Sequence, residues 1–279
     1  MKLGGSVVGV DKHNVDEFIN VCLSSGYDSV ALPLDYNDPV SLIDEYVVAL
    51  KQANIVLAEV GAWNCNLLHP DVKVSDAAFT QVVRQFEMAE YANAVCFVTV
   101  VGSESDIWDG PHPESFTKRV FERVVNTTVR ILDAVNPQKT AFGYETMPWM
   151  LPDSPKRNLE LIDAINHTGF GVHLDIINMI NSIERYYNNA DFTRECFNLL
   201  SKHIKSIHLK DIILASNLTV HLSECMVGDG GYNLNAFFDE VVKLDKDIPV
   251  LTEHMDNQDD YKRSITYIRK FAKENGYKI

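Results

Sequence analysis

Several features that mark particular protein classes are scarce or missing in this sequence. Its five cysteines, Cys22, Cys65, Cys96, Cys196 and Cys225, are odd in number and widely spaced, and no C-x-x-C pair occurs. That argues against a disulfide framework and against a cysteine-based zinc or redox centre, and it reads as reduced, packed thiols. Basic residues are few: 25 Lys and Arg stand against 39 Asp and Glu, a formal charge of −14. Such a surface repels a polyanion, so no nucleic-acid partner is expected. No run approaches the ~18 apolar residues that a membrane span requires, and MKLGGSVVGV lacks the basic start and apolar block of a signal peptide. The expectation is a cytoplasmic protein with no membrane partner. Low-complexity tracts, Pro/Gly-rich linkers and long charge runs are also missing, which leaves no domain boundary to draw.

What is present is a globular composition, 46% hydrophobic and 23% charged, over 279 residues. A chain of that length suits one α/β barrel of about 250 residues, so residues 1–279 are read as a single domain. Short apolar runs alternate with longer amphipathic stretches throughout. The strand candidates are LGGSVVGV (3–10), DSVALPL (28–34), NIVLAEV (54–60), AVCFVTVV (94–101), TAFGYE (140–145), FGVHLD (170–175), IKSIHLKD (204–211) and IPVLTE (248–253). Helical patterns fall near 14–25, 39–53, 76–92, 114–135, 156–166, 191–202, 235–244 and 259–274. Eight strands alternating with eight crossover helices predict a (β/α)8 TIM barrel. Ser154 followed by Pro155 reads as an N-cap with proline at the first helical position, and Asn233 or Asn235 as the cap of the seventh helix.

In such a barrel the active site lies at the C-terminal ends of the strands, so polar residues that finish apolar strands are the candidates. Glu145 ends TAFGYE, Asp175 ends FGVHLD, His208 lies late in IKSIHLKD and Glu253 ends IPVLTE. Any one of these alone has an ordinary structural explanation as a cap or a salt-bridge partner. Together they place three carboxylates and an imidazole on four successive strands, where they repel one another unless a cation or protons compensate. Three oxygens and one nitrogen suit one divalent ion, Mn2+ first, with Co2+, Mg2+ or Zn2+ as alternatives. The residues on the same face below Glu145 and Asp175 are Gly143, Ala141, His173 and Gly171, which leave room beneath a crowded site.

The segments YETMPW, VHLDIIN, IHLKD, ECMVGDGGYNL and VLTEH, in this order and separation, resemble the xylose-isomerase-like sugar phosphate isomerase/epimerase superfamily. The resemblance spans the barrel and is most specific between about 140 and 255, where the H-x-K-D strand and the G-x-G turn (Gly228, Gly230) occur together. It implies that Glu145, Asp175, His208 and Glu253 ligate the metal, and that Glu145 and Glu253 double as the acid/base pair. It also implies a small carbohydrate substrate, isomerised or epimerised by proton transfer through an enediolate that the ion stabilises, and assembly into a homo-oligomer. A second reaction class, β-elimination from an oxidised glycoside or keto-sugar, needs the same proton abstraction.

Two departures bear on the substrate. Relatives that epimerise ketohexoses carry a His three residues after the metal-binding Asp, where this chain has Asn178, and an Arg after the H-x-x-D strand, whereas no Arg occurs here between Arg194 and Arg263. Both point away from the usual ketohexose, and the missing Arg away from a phosphorylated substrate. The ends of the third and fourth strands, LAEVGAW and FVTVVGS, supply no histidines, so the multi-metal nuclease branch of this barrel is not expected. Candidate substrate-binding residues are Trp63, Trp108 and Trp149 on loops after successive strands, with His173, Asn178, Lys210 and His221. Lys210 shares the inward face of His208, where a cation offsets the acidic cluster or holds a substrate oxygen.

Overall fold

The computed structural model describes residues 1–279. The chain runs β1 (Lys2–Gly5), α1 (Val15–Ser25), β2 (Ser29–Ala31), α2 (Val40–Ala53), β3 (Val56–Ala62), α3 (Val72–Ala92), β4 (Cys96–Thr99), α4 (Lys118–Val135), β5 (Ala141–Tyr144) and α5 (Pro155–Ile165). It continues through β6 (Val172–Asp175), two short helices α6 (Ile176–Met179) and α7 (Ile183–Tyr187), α8 (Asn189–Leu200) and β7 (Ile204–Leu209). A hairpin of β8 (Asp211–Leu214) and β9 (Leu222–Cys225) follows, then α9 (Leu234–Val241), β10 (Pro249–Thr252) and α10 (Gln258–Glu274).

Eight parallel strands form one sheet in the order β5-β4-β3-β2-β1-β10-β7-β6, while β8 and β9 pair antiparallel to each other. The sheet curls until its outer strands meet. At that seam a single bridge joins Phe142 to Phe170, with Phe142 N–H donating to Gly169 O and Gly171 N–H to Phe142 O, each at 2.8 Å. The architecture is a (β/α)8 TIM barrel.

Local chemistry explains the element ends. Helices α2, α3, α4 and α5 each stop at an asparagine in the left-handed region, Asn54, Asn93, Asn136 and Asn166, with φ between 46° and 59°. Asparagine tolerates that conformation better than other residues with a Cβ, so a recurring Asn ends each crossover helix and releases the chain toward the next strand. At the other end, Ser154 Oγ accepts from Arg157 N with Pro155 opening α5, and Asn233, rather than Asn235, caps α9 by accepting from Ala236 N. The outward side chains of β4 and β5 pack under α3: Phe86 stacks on Phe97 at 4.8 Å between centroids, and both lie against Phe142. Strand alternation therefore sends the aromatic set to the helices and leaves the opposite set for the barrel interior.

Three features depart from the sequence reading. The first strand stops at Gly5 instead of running to residue 10. The run read as one strand over 204–211 breaks at Lys210, and Asp211 opens the hairpin. Asp211 is the cause: its buried carboxylate accepts from the N–H groups of Ile212, Gly228 and Tyr232, which pins the chain where it leaves the barrel. Gly230 is needed there, since a Cβ at that position would lie 2.2 Å from Asp211 Oδ1. The short helices after Asp175 were also not anticipated; Asp175 caps the first of them through Asn178 N. No helix is long and apolar enough to cross a membrane.

Candidate functional site

The C-terminal ends of β5, β6, β7 and β10 bring together Glu145, Asp175, His208 and Glu253. One donor atom from each lies within 4.8 Å of the others, and all four residues are buried. The strands are neighbours around the barrel, with β10 beside β7, β7 beside β6, and β6 closing on β5. His208 Nδ1 lies 2.7 Å from Glu253 Oε2 and 3.5 Å from Glu145 Oε1.

Lys210 reaches the same cluster from below the cleft surface. It is only 1% exposed, and its Nζ lies 2.6 Å from Glu253 Oε1, 2.9 Å from Glu224 Oε2 on β9 and 3.1 Å from Asp175 Oδ2. These approaches are close, yet Asp175 Oδ2, Glu253 Oε1, His208 Nδ1 and Lys210 Nζ are all buried without a partner in hydrogen-bond geometry. Buried polar atoms are seldom left so. Three carboxylates and an imidazole with ligand atoms within 4.8 Å of one another, and only the Lys210 ammonium to offset them, form a donor set that fits a divalent cation.

The electrostatics show a site short of positive charge. Burial and the neighbouring carboxylates of Glu253 and Glu145 push the Asp175 carboxyl up to about 6 in spite of Lys210. Burial also disfavours the charge on Glu253, but His208 and Lys210 outweigh it and hold that carboxyl well below its ordinary range. With no ion bound, the pKa values of His208 and Lys210 are raised against burial for the reciprocal reason, with Glu253 and Glu59 around the imidazole and Asp175 and Glu253 around the ammonium.

A second polar layer lies directly beneath, where the sequence reading had placed open space. Glu59 of β3, 3% exposed, presents Oε2 to His208 Nε2 at 3.0 Å and Oε1 to His173 Nδ1 at 3.2 Å. His173 Nδ1 also lies 2.7 Å from Ser206 Oγ, and the His173 and His208 rings meet edge to face at 4.1 Å. Against burial, the two imidazoles hold the Glu59 carboxyl far below its ordinary range. Glu59 falls next to last in the candidate strand 54–60, on the other half of the barrel from the four candidates, and was not singled out; β3 runs on to Ala62 and leaves it mid-strand. The signal was available: a Glu inside the buried run Val56–Ala62 must find a partner.

Above the cluster opens a cleft of about 820 Å3, lined among others by Glu145, His208 and Glu253 at one end and by Trp63 and Trp108. His254 also lines it, in the left-handed region at φ 55°, with Nδ1 2.7 Å from Glu224 Oε2. That strained position beside Glu253 was not singled out from sequence, since nothing in the residue order marks it.

The remaining candidates stand elsewhere, for identifiable reasons. His173 is fully buried in the lower layer, held by Glu59 and Ser206. Lys210 is enclosed by three carboxylates and offers the cleft nothing. Asn178 spends its amide on the carbonyl of Thr146 at 2.9 Å, tying α6 to the loop after β5. Trp149 donates Nε1 to Asp109 O at 2.7 Å and is not part of the cleft wall. His221 is exposed just before β9, outside the cleft.

Fold and cluster together define a (β/α)8 barrel with a buried, metal-site-like set of His, Glu and Asp residues at the functional end of its strands. Residues 19–271 match the model of the Xylose isomerase-like TIM barrel family, and the chain belongs to that family. No curated protein matches the chain. Similar solved structures include a xylose isomerase-like TIM barrel protein from Mycobacterium smegmatis in complex with magnesium (TM-score 0.70, 11% identity, covering 96% of this chain and 95% of that one). A probable 3-DHS dehydratase from Bacillus anthracis aligns with TM-score 0.70 and 16% identity over 96% of this chain and 99% of its own. D-psicose 3-epimerase with D-tagatose from Clostridium cellulolyticum aligns with TM-score 0.70 and 14% identity over 98% and 99%. At such identities these likenesses establish the shared fold.

Proposed function

We propose that the protein is a divalent-metal-dependent isomerase or epimerase of a small carbohydrate. The observation that carries this reading is the convergence of Glu145, Asp175, His208 and Glu253, from four neighbouring strands, with ligand atoms within 4.8 Å of one another beneath the cleft. These four residues are the ones to hold the ion; the magnesium in the M. smegmatis relative supports a divalent ion in this fold. When bound, it supplies Lewis acidity that offsets the negative charge developing as a proton leaves the carbon beside a substrate carbonyl.

The chain's own residues do the rest. Glu145 and Glu253 both line the cleft and both approach His208 Nδ1, so a substrate carbon above the floor has two carboxylates within reach. One carboxylate oxygen takes the proton; the other glutamate, carrying a proton from solvent, gives it to the opposite face for epimerisation or to the adjacent carbon for isomerisation, and exchange with water returns both to their starting states. Asp175 and His208 stay out of proton transfer and fix the floor.

A lyase reading shares the first step: the anion expels a leaving group β to the carbonyl instead of being reprotonated. The dehydratase among the structural neighbours supports keeping it. Incubation of the metal-loaded protein in heavy water with a panel of keto-sugars tests both. Deuterium on the carbon beside the carbonyl, in a sugar otherwise of unchanged mass, is the expected result; an unsaturated sugar with a released alcohol replaces it by the lyase reading. Glu253→Gln is expected to slow the exchange by about 10²-fold or more, the usual cost of losing a general base. No label and no elimination on any sugar overturns the proposal.

A further inference from the structure

The cleft is larger and less charged than one phosphorylated sugar requires. Its volume, about 820 Å3, lies near the upper end of the ~300–1,000 Å3 that encloses drug-sized ligands, whereas a single hexose has far fewer atoms. No lysine or arginine lines it, while Asp35 and Asp109, on the loops after β2 and β4, add carboxylates to those of the floor. Lys210 is sealed below by its three carboxylates, and the Arg84 guanidinium is turned onto the ring of Tyr36, 4.3 Å from its centroid. Lys12 reaches Asp35 at 3.5 Å, and the two histidines of the lining are engaged by carboxylates, His208 by Glu59 and Glu253 and His254 by Glu224, so a phosphate or carboxylate on the substrate finds no free lysine or arginine along the walls.

Away from the floor, the cleft has a built aromatic wall. The Trp63 indole folds back over Gly61, where a Cβ would lie 2.4 Å from its Nε1, so the missing side chain is what lets the indole lie there. Trp108 buttresses it at 6.4 Å between centroids, and Trp63 remains 41% exposed with its surface turned to the cleft. The adjoining loop after β2 is held by Gln85, 4% exposed. Its Oε1 accepts from Tyr36 N at 2.8 Å, and its Nε2 donates to Leu34 O at 3.1 Å and to Gly61 O at 3.2 Å. One buried amide thus ties the loop after β2 to the strand that carries the indole. A fixed aromatic surface with nearby polar edges is the chemistry that takes the apolar face of an uncharged ring.

We propose that the cleft binds a neutral two-ring glycoside. The carbonyl-bearing sugar lies over Glu145 and Glu253, and the attached uncharged ring stacks on Trp63, facing the Leu34–Asn37 loop. This rests on the reading of the floor as the reacting centre. It adds a second subsite and excludes charged sugars.

The test is calorimetric titration of the Mn2+-loaded protein with glucose, glucose 6-phosphate, gluconate, a set of neutral disaccharides and aryl glucosides, each also in a form with one ring hydroxyl oxidised to a ketone, the keto compounds being scored for deuterium incorporation. At least one two-ring compound is expected to bind about tenfold tighter than its component monosaccharide, and the two charged sugars more weakly than glucose. Trp63→Ala is expected to bring the two-ring compound down to the monosaccharide's affinity while leaving the monosaccharide within about twofold, and Trp63→Phe to restore most of the difference. The proposal is overturned if no two-ring compound gains over its monosaccharide, including the case where nothing binds, if a charged sugar binds tightest, or if Trp63→Ala weakens both classes equally. Exchange on a monosaccharide without any two-ring gain removes the subsite and leaves the catalytic reading standing. A two-ring gain lost in Trp63→Ala, without exchange or elimination on any compound, does the reverse.

Discussion

Glu59 and His208 share a 3.0 Å contact in the barrel interior that decides which way the imidazole faces. A carboxylate of this kind only accepts, so His208 Nε2 carries the hydrogen and Nδ1 is the atom left for the cluster above. Glu59→Gln keeps the shape and removes the charge. Metal affinity is expected to fall by about 10–100-fold, the usual effect of losing a partner behind a ligating histidine, with the far-ultraviolet spectrum unchanged. Mn2+ titration giving the parent's Kd in this variant refutes the role.

The four floor residues should hold about one ion per chain. Asp175→Ala and His208→Ala are each expected to lose the ion and with it the thermal shift that Mn2+ gives the parent. At an ion concentration of a hundred times Kd that shift corresponds to ~2.7 kcal/mol. Elemental analysis and melting curves with and without a chelator measure both, and undiminished binding in either variant means that residue is not a ligand.

Lys210 is the cation the chain itself supplies to Asp175, Glu253 and Glu224. Lys210→Met leaves buried carboxylates unpaired, so the chelator-treated variant is expected to be ~3–5 kcal/mol less stable in urea unfolding. Added Mn2+ then recovers more stability in the variant than in the parent, because it meets carboxylates with no competing ammonium. Equal stability of the two proteins in chelator contradicts this account.

Glu90, near the end of α3, accepts from the N–H groups of Gln138, Lys139 and Thr140 at 3.0, 3.1 and 2.8 Å and so fixes the entry to β5. Burial works against its charge, but the three donors prevail and lower its pKa. A depressed carboxyl contributes stability above its unfolded value of ~4.3, and that contribution disappears as pH falls through the folded value. Glu90→Gln is therefore expected to cost about 1 kcal/mol at neutral pH, after screening, with the gap from the parent closing below roughly pH 4. A gap that stays constant to pH 3 would place the effect in packing.

The barrel and the convergence of the four floor residues were legible because polar residues late in apolar strands meet at one end of this architecture: Glu145, Asp175 and Glu253 each finish an apolar run, and His208 lies late in one. Glu59 was not, because a lone mid-strand glutamate gives no hint of which strand faces it; its partner His208 is 149 residues away. The hairpin was not legible because Lys210 and Asp211 read as the end of one strand, and only the N–H groups that Asp211 accepts from show that the chain departs there into a second pair of strands. Lys210 was placed on the correct face, but alternation could not say whether it looks into the cleft or into the carboxylates. Trp149 and Asn178 look like ligand-binding residues by type and position, yet each satisfies a loop carbonyl, and such pairings depend on loop geometry that periodicity does not encode.

The seam of the barrel gives the floor a mechanical meaning. The strands β5 and β6 are joined by one bridge at Phe142 and Phe170, supplemented by Thr146 Oγ1 donating to Asp175 O at 2.7 Å. Glu145 and Asp175 stand on opposite banks of that gap. An ion gripped by both is a rivet across the weakest joint of the wall, so its loss loosens the cylinder there first, and amide hydrogens at Phe142 and Gly171 become the place to watch the wall breathe.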